Sequence, residues 1–207
     1  FAVFGQIYQT GADTYDLFLG WTVFTLLWAL ASRFEPLWLI WLLLANTTFV
    51  FYVDQAGPGW AAVTICLIMA AFNTAVVLLL YLLYHFGKIT QPAQWFMKTL
   101  GLTVAGCITV SIVTGIFDHY PRVMVLSALF AALVYTTAVY YSYREKSLFY
   151  LCVIPLSVII IITMMIADHI KFNDSSLFII ITMFIVTSIT LVVKQLTYLN
   201  KKWHGNN

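Results

Sequence analysis

Charge is what this chain has least of. Asp, Glu, Lys and Arg make up 9% of its 207 residues, while 62% are hydrophobic. A soluble domain carries about 25% charged residues, so there is too little polar surface here to face water. The net charge is only +2, and no basic run is long enough to follow a nucleic-acid backbone. Cysteine is scarce too. Cys66, Cys107 and Cys152 are expected at three different depths, so neither a disulfide nor a thiolate metal site is expected. Proline is confined to connections at Pro36, Pro58, Pro92 and Pro121. Pro155 is the exception and predicts a kink inside an apolar run.

A further lack bears on function. No Asp, Glu, Lys, Arg or His falls near the middle of an apolar run. Ion pumps and proton relays usually keep such a residue there, because a charge in hydrocarbon is costly and is retained for its role. The start of the chain lacks an initiator Met and the charged n-region of a signal peptide. Phe1-Ala2-Val3-Phe4 reads as the end of an earlier helix that closes near Gln9. The expectation is a single transmembrane domain over residues 1–207, incomplete at its N-terminus.

What is present is a set of seven apolar runs: Tyr15–Ala31, Leu37–Val53, Trp60–Tyr84, Trp95–Phe117, Val123–Tyr141, Leu148–Ala167 and Leu177–Val193. Each has about the 17–25 residues that cross a bilayer as a helix. The mean hydropathy of +0.94 agrees. The fold class predicted is all-α, a polytopic transmembrane helix bundle with seven full helices and the end of an earlier one. Short connections such as Ser32–Pro36, Asp118–Arg122 and Ser142–Lys146 require antiparallel neighbours.

Eight of the ten Lys and Arg fall on one set of alternate connections or at the run end beside one: Arg33, Lys88, Lys98, Arg144, Lys146, Lys194, Lys201 and Lys202. Arg122 and Lys171 alone fall on the other. Short basic loops stay in the cytoplasm, so the C-terminus is expected there. Asp13, Asp16, Asp54, Asp118, Asp168 and Asp174 then lie outside. Trp28, Trp38, Trp41 and Trp95 fall at the expected inner boundary, with Tyr135, Tyr140, Tyr141 and Tyr143. Trp60 falls at the outer one. These read as interfacial belts.

Three groups of residues invite a functional reading. On the fourth run, Gly101, Ala105 and Thr109 recur every four residues, as do Ser111 and Gly115, so close helix packing is expected there. Asn46 and Asn73 are the deepest strongly polar side chains and could hydrogen-bond between helices or line a path for a solute. Asp118-His119 and Asp168-His169 end two runs at equivalent outer positions. Asp and His are metal ligands and acid–base groups. Adjacent Asp and His point in different directions, however, and interfacial pairs of this kind commonly cap helices. No metal or cofactor is expected.

The stretch before the first run is the most distinctive. Gly11 can end a helix, and Asp13 with Asp16 can cap the next. That leaves Gln6 and Gln9, three apart on one helical face, without a packing reason. The string GQIYQTGADTYDLFLGW, followed by LLWALASRFEPLWLIWLLLANTTFVFY, resembles the bacterial membrane-protein family called domain of unknown function 2157. The likeness covers about Phe4–Tyr52. It implies a polytopic protein of the bacterial inner membrane and implies no activity. It marks Gln6, Tyr8, Gln9, Gly11, Asp13 and Asp16 as the segment to test.

The first function expected is therefore an integral membrane component without evident catalytic machinery, which holds or senses a membrane or envelope protein. The first alternative is a transporter or channel for a small neutral solute. The second is a membrane-embedded enzyme using the outer Asp-His pairs. The lipid bilayer is the one partner that the composition itself requires, and no nucleic-acid partner is expected.

Overall fold

The computed structural model describes residues 14–32, 34–88, 91–169 and 174–205. Among these the chain is an all-α helical bundle of seven helices: α1 Thr14–Ser32, α2 Glu35–Gln55, α3 Ala62–His85, α4 Gln94–Phe117, α5 Pro121–Glu145, α6 Leu148–His169 and α7 Asp174–His204. All seven are long and apolar enough to cross a membrane. Six match the apolar runs closely. α7 does not stop at Val193 but continues through Lys194, Lys201 and Lys202. Lys, Gln and Leu are good helix formers, so the end of the apolar run is not the end of the helix.

The helix ends follow from local chemistry. Pro36 and Pro121 sit in the first turns of α2 and α5, where a missing N–H leaves nothing unsatisfied. α3 closes in a Schellman turn. Gly87, at φ 67°, donates to Tyr84 O at 3.0 Å, and Lys88 N–H reaches Leu83 O at 2.9 Å. Glycine takes that left-handed position without strain. α4 and α5 end the same way on non-glycine residues, His119 at φ 55° and Lys146 at φ 51°. α6 continues as helix through Pro155.

The contacts divide the chain into two compact units. The first holds α1, α2, α3 from Ala75 and α4 as far as Leu100. Within it α1 packs along α2. The core there is Leu42, Phe96 and Leu100, with Trp38, Val76 and Leu80 against it. The Glu35 carboxylate accepts the Ala93 N–H at 2.8 Å. That places an acid at the start of α4, where the helix dipole favours it.

The second unit holds α3 as far as Thr74, α4 from Gly101, and α5, α6 and α7. α6 packs on both α5 and α7. Here α4 is the most enclosed element of the protein, with 44% of its span buried against 17% or less in the other six. The small residues explain it. A Cβ on Gly101 would meet the Tyr150 ring, and one on Gly115 would lie 2.9 Å from Met124 Cβ and 3.2 Å from Val63 Cγ2. The four-residue spacing read from the sequence is thus a packing face.

Candidate functional site

Many polar side chains within the helices are tied to other helices or to their own, although the buried Ser142 hydroxyl in α5 has no hydrogen-bond partner among the described residues. In the second unit Thr109 Oγ1 donates to Ala105 O at 2.7 Å. Its single proton is then committed, so in the 2.6 Å contact with Ser157 the serine is the donor. By the same argument Tyr135 OH donates to Ser157 Oγ at 2.6 Å. The result is a one-directional chain from α5 through α6 to α4 that ends on a backbone carbonyl. Ser111, fully buried, makes a second junction. Its hydroxyl lies 3.0 Å from Val63 O and 2.9 Å from Ser127 Oγ, and Ser127 also reaches Val123 O.

Thr109 and Ser111 thus lie on the packing face of α4 and also take part in helix junctions through their hydroxyls, and the Tyr135 hydroxyl joins the first of these junctions. Ser157 is not singled out by the sequence: its one signal is its place two residues after Pro155, in an apolar run that also carries Thr163.

Asn46 and Asn73 are both buried. Asn46 Nδ2 donates to Leu42 O at 2.8 Å, and Asn73 Nδ2 donates to Met69 O at 2.7 Å. Each therefore uses one amide proton on the preceding turn of its own helix. In the first unit Thr22 and Thr48 join α1 to α2 through a 2.9 Å hydroxyl contact.

The two Asp-His pairs occupy helix ends. His119 sits in the left-handed closing position of α4, and its Nδ1–H donates to Ile116 O at 2.9 Å. His169 is the last residue of α6. Its Nδ1 lies 3.1 Å from Met165 O and 3.6 Å from Asp168 Oδ2. Each imidazole is thus turned back onto its own helix end, where free carbonyls need donors. Among the described residues, no group of three or more His, Cys, Asp and Glu side chains is assembled as a metal would require.

Of the N-terminal segment, Gln6, Tyr8, Gln9, Gly11 and Asp13 lie outside the described residues. Asp16 is exposed in the first turn of α1. Beside it the start of α1 is tied to the end of α2. Tyr15 N–H donates to Gln55 Oε1 at 3.2 Å. The Tyr15 and Tyr52 rings meet edge-on at 5.8 Å, and those of Phe18 and Phe51 lie 5.0 Å apart.

The cysteines also differ from expectation. The Ser111–Val63 bond sets the register of α3 against α4. Three residues along α3 and four back along α4, Cys66 and Cys107 come to about the same level by that register. Both are half-buried free thiols.

The sequence matches no protein-family model, no curated protein and no solved structure. The class is defined by the helices themselves. Large apolar side chains face outward throughout, among them Phe24 at 69%, Trp28 at 67%, Phe178 at 70% and Met183 at 71% exposure. Water would not tolerate apolar surface on that scale. Lipid does, and the helices satisfy their own backbones as lipid requires. The chain is a multi-pass membrane protein.

Proposed function

We propose that this protein is a non-catalytic integral component of a bacterial inner membrane that holds or senses an envelope partner through the segment at the start of α1. The observation that carries this reading is the use of the intramembrane hydroxyls and amides. Tyr135, Ser157, Thr109, Ser111 and Ser127 bond to one another or to backbone, which suits a rigid scaffold better than a solute path. The bacterial setting is part of this proposal and rests on the resemblance read in Phe4–Tyr52 alone, since no family model matches the chain. The C-terminus is cytoplasmic on this reading, because eight of the ten basic residues share its side.

Two measurements test it. Cysteine introduced at Asp54 labels with an impermeant thiol reagent in intact cells, and cysteine at Lys201 does not; the reverse pattern overturns the orientation. Gln6→Leu combined with Gln9→Leu leaves insertion and helicity intact but loses the proteins that cross-link to wild type in native membranes. If cross-linking is unchanged, the segment is a helix end only. If purified wild type in liposomes moves a neutral solute and the variant does not, the scaffold reading gives way to a transporter.

A further inference from the structure

The run of helix beyond Val193 brings together residues that the sequence keeps far apart. Because α7 persists to His204, Trp203 reaches Tyr143 near the end of α5, with ring centroids 5.7 Å apart and an interplanar angle of 87°. Basic residues surround this pair. Arg144 follows Tyr143 directly. Lys146, held at φ 51°, folds back over the end of α5, where its N–H bonds Ser142 O. Lys202 immediately precedes Trp203. All three cations are exposed, and among the described residues none has an ion-pair partner. The one carboxylate in the turn is Glu145.

We propose that the ends of α5 and α7 form a seat for the headgroup of an anionic phospholipid, with Arg144, Lys146 and Lys202 facing its phosphate and the Tyr143–Trp203 pair packing beside its glycerol. Both helices reach a membrane boundary here, and the anion found at that height is a lipid phosphate. Tyr and Trp settle at the headgroup level because their rings are apolar with a polar edge. Tyr143 is 51% exposed, so the pair offers a face as well as a contact between helices. A free phosphate would satisfy the cations but leave that aromatic face bare.

The geometry separates this seat from general attraction to a charged surface. Successive helical residues turn by about 100°. Lys202 is one step, about 100°, from Trp203 and so flanks the face turned toward α5. Lys201 is two steps away, about 200° round, and points to the opposite side. The two lysines carry equal charge at nearly equal height, but the seat uses only one.

The test is native mass spectrometry of the full chain in detergent, given equal amounts of phosphatidylglycerol and phosphatidylcholine. Wild type is expected to retain phosphatidylglycerol preferentially. Lys202→Gln and Arg144→Gln each lower the preference by about five-fold, whereas Lys201→Gln leaves it essentially unchanged. Trp203→Ala lowers it with no change in charge, and Trp203→Phe retains it. Circular dichroism and gel filtration confirm that each variant is folded, and Trp203→Phe with Lys201→Gln serve as folded comparators. Equal retention of the two lipids by wild type overturns the proposal. So does an equal loss in Lys201→Gln and Lys202→Gln, which means diffuse attraction, or displacement of the lipid by inorganic phosphate alone. None of these outcomes depends on partner binding by the N-terminal segment.

Discussion

His119 holds a backbone conformation that costs an L-residue about 1–2 kcal/mol, because its Cβ crowds the neighbouring carbonyl. Its Nδ1–H bond to Ile116 O offsets part of that cost. The two contributions can be separated. His119→Ala loses the bond and keeps the strain, so it lowers stability. His119→Gly loses the bond and removes the strain, so it is more stable than the alanine variant by about 1–2 kcal/mol. Denaturant titration in detergent, followed by helicity, measures the difference. Alanine equal to glycine would mean that α4 does not close through a left-handed residue. Ser157 works in another way, by accepting from Tyr135 and donating to Thr109. Ser157→Ala breaks both links and is expected to cost about 0.6–2 kcal/mol, the range for hydrogen bonds between membrane helices. Tyr135→Phe adds little on top of it, since its partner is already gone. Additive losses would show that the chain from α5 to α4 is absent.

At the scale of the element, α4 carries the argument. Its three glycines differ in what surrounds them. Gly115 lies against Met124 Cβ, an atom fixed to the α5 backbone. Gly101 lies under the far end of the Tyr150 ring, which can swing away, and Gly106 has nothing within 4 Å. The expected order of stability follows. Gly115→Ala is the most harmful, at about 1–3 kcal/mol for overpacking. Gly101→Ala is milder. Gly106→Ala is neutral or stabilising by up to about 1 kcal/mol, because alanine is the better helix former. Thermal unfolding of the three variants in one detergent tests the order, and a Gly106 variant worse than the Gly115 variant would refute the assigned packing face. The four-residue spacing of small residues was legible in the sequence. That spacing already left Gly106 out, but what each glycine meets was not legible, because Tyr150, Met124 and Val63 come from other helices.

The whole molecule shows the same limit. Apolar runs place seven helices because each must bury about 30 Å of hydrocarbon thickness, and short connections make neighbours antiparallel. They do not fix how far one helix slides along the next. The Ser111–Val63 bond decides that for α3 and α4, and it brings Cys66 level with Cys107. A short bifunctional thiol reagent applied to the wild-type chain should therefore link Cys66 to Cys107 and leave Cys152 singly modified. Cleavage in the α3–α4 connection, followed by non-reducing electrophoresis, reads the link as one band. Two bands after cleavage, or a link to Cys152, would mean a different register.

Composition and the period of the apolar runs determined, without any structure, that this is an all-helical membrane protein, where its spans lie and where its basic residues collect. The spans follow from the solvent, since lipid demands backbones that satisfy themselves over a fixed length. The tertiary structure decided what lipid cannot specify. It set the depth at which α4 meets its neighbours and the hydroxyls that join there. It also set the turning of His119 and His169 onto their own helix ends, and the reach of α7 to Tyr143. Each depends on a contact between residues distant in sequence or on one backbone torsion, and a polar residue in an apolar run carries no mark of which partner will satisfy it.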